Sequence, residues 1–108
     1  SFARLNLEAG KHSMSTARSN FDQARGYFEA GIALLNANHW GTQYLLSLEL
    51  YEWSVRICFM LGEVQAVSSR LIDILSNARS FDDTLNPRVL MAKFLASQGW
   101  YSEAASGL

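Results

Sequence analysis

The chain has 108 residues, 49% of them hydrophobic and 18% charged, and carries a formal net charge of -1. That is the composition of one ordinary globular domain, without the basic footprint that nucleic acid or an anionic membrane would require. Cys58 is the only cysteine, which excludes an intrachain disulfide and a cysteine-built metal site and points to a reducing, cytoplasmic setting.

The first helix is predicted over residues 3–17 and the second over 20–36, with Asn20 as a cap. The opening stretch "SFARLNLEAG" reads as mid-chain sequence, since it has neither a Met nor a charged-then-apolar leader. A third helix is expected over 42–61, capped by Thr42. It carries two apolar stripes. Tyr44, Leu48, Tyr51, Val55, Cys58 and Leu61 form one; Leu46, Leu50, Trp53, Ile57 and Met60 form the other. Two apolar faces imply burial against two neighbours. The longest strongly apolar run there, Ile57 to Leu61, is far short of the ~20 residues of a membrane helix.

A fourth helix, over 63–79, has one stripe: Val64, Val67, Leu71, Ile74 and Ala78. Its other side, with Ser68, Ser69, Arg70, Asp73, Ser76 and Asn77, is expected to face solvent. Asn86 followed by Pro87 predicts the start of a fifth helix, over 86–98, with Pro in the first helical position. A sixth is expected from about residue 101. Neither beta-turn chemistry nor strict apolar–polar alternation is present, so the expected fold class is all-α.

Three segments share a frame: "RSNFDQARGYF", "LGEVQAVSSRL" and "QGWYSEAASGL". A small or turn residue (Ser19, Gly62, Gly99) is followed by a large apolar residue (Phe21, Val64, Tyr101). Ala or Val comes next (Ala24, Val67, Ala104), then a large apolar residue again (Phe28, Leu71, Leu108). The frame recurs about every 40 residues, the mark of a helical-hairpin repeat. Glycine permits the left-handed backbone of the reversal. The following residues make one stripe that packs back on the preceding helix, with the small residue allowing close approach. Ala24, Phe28, Tyr51, Val55, Gly62, Val67, Leu71, Gly99, Tyr101 and Ala104 are the expected repeat-packing residues. The units run over about 1–40, 41–80 and a partial 81–108. A stable array needs roughly three or more units, so the chain is expected to be a piece of a longer one.

The frame resembles the tetratricopeptide repeat, which implies antiparallel helical hairpins stacked as a right-handed solenoid. Gly99, Tyr101 and Ala104 match it best; Ser19 departs from the usual glycine, and the units exceed the usual length. "LNLEAGKHSMS", "FDQARGYFEAGIALL", "HW" at His39-Trp40 and the run from Tyr44 to Glu52 are similar to the helical-repeat region of large signalling ATPases. In that family a kinase-like domain and a STAND/AAA-type ATPase domain precede such helices, and sensor and histidine-kinase domains often follow. The resemblance implies a non-catalytic scaffold or regulatory segment in contact with neighbouring domains. The alternative is a free adaptor that holds a peptide in its concave groove.

No catalytic, metal or cofactor site is expected. "EAGKHS" (Glu8 to Ser13) imitates a phosphate loop, but Leu5 stands where the first glycine belongs and His12 where Ser or Thr should follow Lys11. It reads instead as helix with Gly10 at a packing contact. His12 and His39 lie in different elements and read as surface or cap residues. Asp82-Asp83, with Asp73 upstream, lack cation-loop spacing and read as a solvated loop. Glu49 and Glu52, with Arg56 four residues after Glu52, read as a solvated strip. Cys58 reads as a small buried hydrophobe. Trp40 and Trp100 are expected to seal junctions between hairpins.

Overall fold

The computed structural model describes residues 2–16 and 21–97, and among these there is no strand. Helices α1 (Phe2–Thr16), α2 (Phe21–Ala33), α3 (His39–Thr42), α4 (Tyr44–Met60), α5 (Val64–Asn77) and α6 (Leu85–Ser97) follow one another, with a 3-10 turn at Asp82–Thr84. They form a flattened body of 51 × 34 × 21 Å.

Helices α1 and α2 are an antiparallel pair. Gly10 of α1 faces the Phe28 ring, while Gly31 of α2 comes up against the Ala3 carbonyl at the other end. Both glycines serve close approach. A Cβ at position 31 would stand 2.8 Å from Leu50 Cδ2. The same positions of α2 are therefore pressed on α4 as well, where Phe28 stacks on Trp53 at 5.6 Å. Helix α4 then reverses into α5 through Gly62, at φ +74°. The Glu63 N–H donates to the Cys58 carbonyl at 2.9 Å and the Gly62 N–H to the Phe59 carbonyl at 3.2 Å. These are the paired bonds of a Schellman ending, which needs a left-handed residue where the glycine stands.

Helix α4 is buried along both stripes. Leu50, Val55, Ile57 and Cys58 have no exposed surface, and Tyr44, Leu46 and Tyr51 are buried too. Leu48, Trp53 and Leu61 are half-buried. On α5, Val67, Leu71 and Ile74 are buried. Met60 and Val64 lie exposed on either side of the Gly62 turn. Helix α6 packs on both α4 and α5. Ala24 and Phe28 complete the core on α2, and Phe94 on α6.

The starts of α4 and α6 differ from expectation. Thr42 does not cap α4: it ends the short helix α3, and its hydroxyl donates to the Asn38 carbonyl at 3.0 Å. Gln43, at φ -133°, breaks the chain between α3 and α4. Helix α6 begins at Leu85, so Asn86 is inside it and Pro87 is its third residue, fully buried. Pro is tolerated there because the first-turn N–H groups have no helical acceptor. Asn20, Gly99, Trp100, Tyr101, Ala104 and the helix expected from about residue 101 lie outside the described residues.

Candidate interaction surface

The residues singled out in the sequence as chemistry are occupied as structural links. Gly10 and Lys11 lie inside α1. Lys11 Nζ donates to Glu49 Oε2 at 3.0 Å, which ties α1 to α4 and raises the lysine pKa, chiefly through that hydrogen bond. Glu49 and Glu52 therefore do not act as a pair. Burial pushes the Glu52 carboxyl up, and Arg56 opposes the rise. The Arg56 guanidinium itself lies over the Trp53 ring, 5.1 Å from its centroid. Cys58 is fully buried, and burial raises its thiol pKa. Among the described residues no three His, Cys, Asp or Glu side chains converge as metal ligands would.

His39, half-buried at the first residue of α3, is more engaged than a surface or cap role alone implies. Its ring stacks on Tyr51 at 5.7 Å, and its Nδ1 is 2.8 Å from Ser47 Oγ. The Ser47 hydroxyl also reaches the Gln43 carbonyl at 2.7 Å and the His39 carbonyl at 3.3 Å. With its proton on the Gln43 carbonyl, Ser47 Oγ accepts from His39 Nδ1; in the other tautomer the hydroxyl donates to the ring instead. Burial lowers the His39 pKa, against a smaller opposing effect of Asp73. Trp40 packs inward on the same cluster, 4.9 Å from Tyr51 and 6.1 Å from Tyr44.

Asp83 is likewise not a free loop carboxylate. The Tyr44 hydroxyl donates to Asp83 Oδ2 at 2.6 Å and accepts from the Arg79 N–H at 2.9 Å. The Arg79 guanidinium covers the Tyr44 ring at 4.3 Å and donates to the Trp40 and Gly41 carbonyls. One arginine thus closes the open end of α3 and fastens the loop after α5.

The polar side of α5 also turns partly inward. Arg70 forms an ion pair with Glu29 of α2 and lies over the Tyr51 ring at 5.1 Å. Glu29 accepts a second hydrogen bond, from the buried Ser54 hydroxyl, at 2.9 Å. One carboxylate therefore joins α2, α4 and α5. Arg25 of α2 pairs with Glu63, just ahead of α5, at 2.8 Å.

Apolar side chains lie open on several helices, Phe2 and Leu5 of α1, Leu45 of α4 and Ile72 of α5 among them, and a further open region surrounds α6. Its inner side is made by Pro87, Leu90, Met91 and Phe94, buried or half-buried. Its outer side carries a second apolar stripe: Leu85, Val89, Ala92 and Ala96, all exposed. A groove of about 340 Å³ runs between α4 and α6, lined by Arg56, Phe59, Met60, Leu90 and Lys93. A smaller one, about 190 Å³, lies between α5 and α6, where Leu71, Ile72, Met91 and Phe94 are among the lining residues. A third, more open cleft of about 710 Å³ lies beside Tyr44 and is lined in part by Arg4, Arg79 and Asp83. Tyr44, Arg79 and Asp83 are already committed to one another, so this cleft offers little to a ligand.

The sequence did not expose the two α6 grooves, because each joins residues of two helices that lie at least 19 positions apart, as Ile72 and Met91 do. The outer stripe at 85, 89, 92 and 96 was legible as a +4, +3, +4 pattern. No helix among the described residues is long and apolar enough to cross a membrane. No family model, curated protein or solved structure matches the chain.

Proposed function

We propose that this chain is a non-catalytic scaffold segment: a tetratricopeptide-like right-handed solenoid in a cytoplasmic, multidomain signalling ATPase or kinase, where it contacts neighbouring domains or protein partners. The observation that carries the reading is the outer face of α6. Leu85 is 46% exposed and Val89 54% exposed, on an apolar stripe opposite the one that α6 buries, with Arg88 and Lys93 between the two. A second apolar stripe is what a helix presents when a further layer packs on it. Helix α4, the other helix with two apolar stripes, is covered along most of both, Met60 at its end excepted. The recurring frame, the left-handed Gly62 and the antiparallel α1–α2 pair support the repeat reading.

The test is Val89→Lys in two settings. In the 108-residue chain the change should stay within about 0.5 kcal/mol, as for other exposed positions. In the gene product that carries this chain it should lower the melting temperature or break a domain contact, because neighbour interfaces supply much of an array's stability. No effect in either setting contradicts the scaffold reading. The second reading, an adaptor that holds a peptide, is favoured by the groove between α4 and α6.

A further inference from the structure

We propose that the groove between α4 and α6 docks an acidic amphipathic peptide segment of a partner protein, with one bulky apolar side chain seated on Phe59, Met60 and Leu90 and carboxylates facing Arg56 and Lys93. The proposal rests on the protein-docking reading above and gives the partner its chemistry.

The floor is apolar and accessible. Met60 is 54% exposed, and Phe59 and Leu90 are half-buried. Phe59 is braced from below by an edge contact with Phe94 at 6.3 Å, so the floor is set by the core. A groove of about 340 Å³ falls in the size range of sites that take one large side chain or a small ligand.

The two polar residues of the lining are both cations, one from each helix. No acid lines the groove, and α6 has none anywhere from Leu85 to Ser97. The whole chain has a net charge of -1, so this wall departs from the average in sign. Glu52, one turn before Arg56, is the nearest carboxylate on α4 and lies outside the lining. The Arg56 guanidinium lies over the Trp53 ring, which holds it in place and lowers the entropic loss on binding. Lys93 is exposed and complements it from the other side. Arginine and lysine flanking an apolar slot select against a basic peptide as strongly as they select for an acidic one.

The experiment is fluorescence anisotropy of the 108-residue chain with three labelled ten-residue peptides. The first places Glu and Asp around a central Phe-Leu pair. The second keeps the pair among Lys and Arg. The third keeps the acids and replaces the pair by Ser-Ser. We expect binding of the first only, weakened by salt. Lys93→Glu should weaken it about five-fold, and the added Arg56→Glu should transfer preference to the basic peptide. Circular dichroism and the melting curve check that each variant is folded; Lys93→Glu alone, at an exposed position, suffices if the double variant is not. Equal binding of the acidic and basic peptides, indifference to Lys93→Glu, or no binding of any peptide overturns the proposal. So does a dimer in sedimentation that covers Met60 and that the acidic peptide does not dissociate. The Val89→Lys comparison reads a different face, so the scaffold reading can stand when this one falls.

Discussion

Gly10 and Phe28 lie so close that a Cβ on residue 10 would stand 2.5 Å from the ring Cε1, with two more ring atoms within 2.8 Å. The Phe28 ring cannot retreat, because it is fully buried and Trp53 is stacked beyond it. Helix propensity alone favours Ala over Gly by about 1 kcal/mol, while overpacking a tight core loses about 1–3 kcal/mol. Gly10→Ala should therefore destabilise the chain by about 1–2 kcal/mol. Gly26, also in a helix, has nothing within 4 Å of its would-be Cβ. Gly26→Ala should stabilise by about 0.4–1 kcal/mol. Urea midpoints decide the matter: two shifts of the same sign would show that α1 and α2 are not packed this closely.

The Glu29–Arg70 link makes a second prediction. The pair is partly shielded, with side chains 33% and 22% exposed, and Arg70 also covers Tyr51. Arg70→Ala should lose about 1–2 kcal/mol. Glu29→Ala should lose more, because it strands the buried Ser54 hydroxyl as well as Arg70. The double variant should lose less than the sum. Strict additivity in the cycle would mean that the two side chains do not meet in solution.

The helices, the two stripes of α4 and the inward residues Val67, Leu71 and Ile74 of α5 were legible in the sequence because periodicity alone reveals them. The Gly62 reversal was legible because few other residues take its backbone. The short helix α3 was not, since Gln43 breaks the chain there without a Gly or Pro to mark it. Pro87 misplaced the start of α6 because Pro suits any position in a first turn, not only the first. The polar links escaped for a different reason. Tyr44–Asp83 and Glu29–Arg70 join residues 39 and 41 positions apart, and local pattern holds nothing about such partners.

Acid should destabilise the chain through His39. Burial holds its folded pKa below the unfolded value of 6.5. Its contribution is thus present above pH 6.5 and is lost as pH falls through the folded pKa, where the unfolded chain has already taken up a proton. Glu52 has the opposite sign: burial raises its folded pKa above 4.5, so its contribution is present below that value and is lost as pH rises through the folded pKa. Unfolding curves from pH 4 to 8 should show His39→Gln flattening the fall below pH 6.5. Glu52→Gln should be stabilising at pH 7 and nearly neutral at pH 4. A His39→Gln curve parallel to that of the unaltered chain would place the histidine in water.

Cys58 reports on opening. Its thiol is fully buried and pushed up by burial, so it is protected both sterically and by its low thiolate fraction. Labelling by a disulfide reagent should be slow in buffer and should accelerate with urea in step with unfolding measured by circular dichroism. Fast labelling of the folded chain would contradict the packing of α4.

The scaffold account turns on whether α6 is covered in the molecule that carries this chain. Val89→Cys places a thiol on the bare stripe, while Cys58 stays buried and silent. Maleimide labelling at position 89 should be rapid in the 108-residue chain and slower by at least about tenfold in the gene product, as a neighbouring layer buries the stripe. Equal, rapid labelling in both would show that Leu85 and Val89 face water in the natural molecule, and that α6 is not an internal layer of an array.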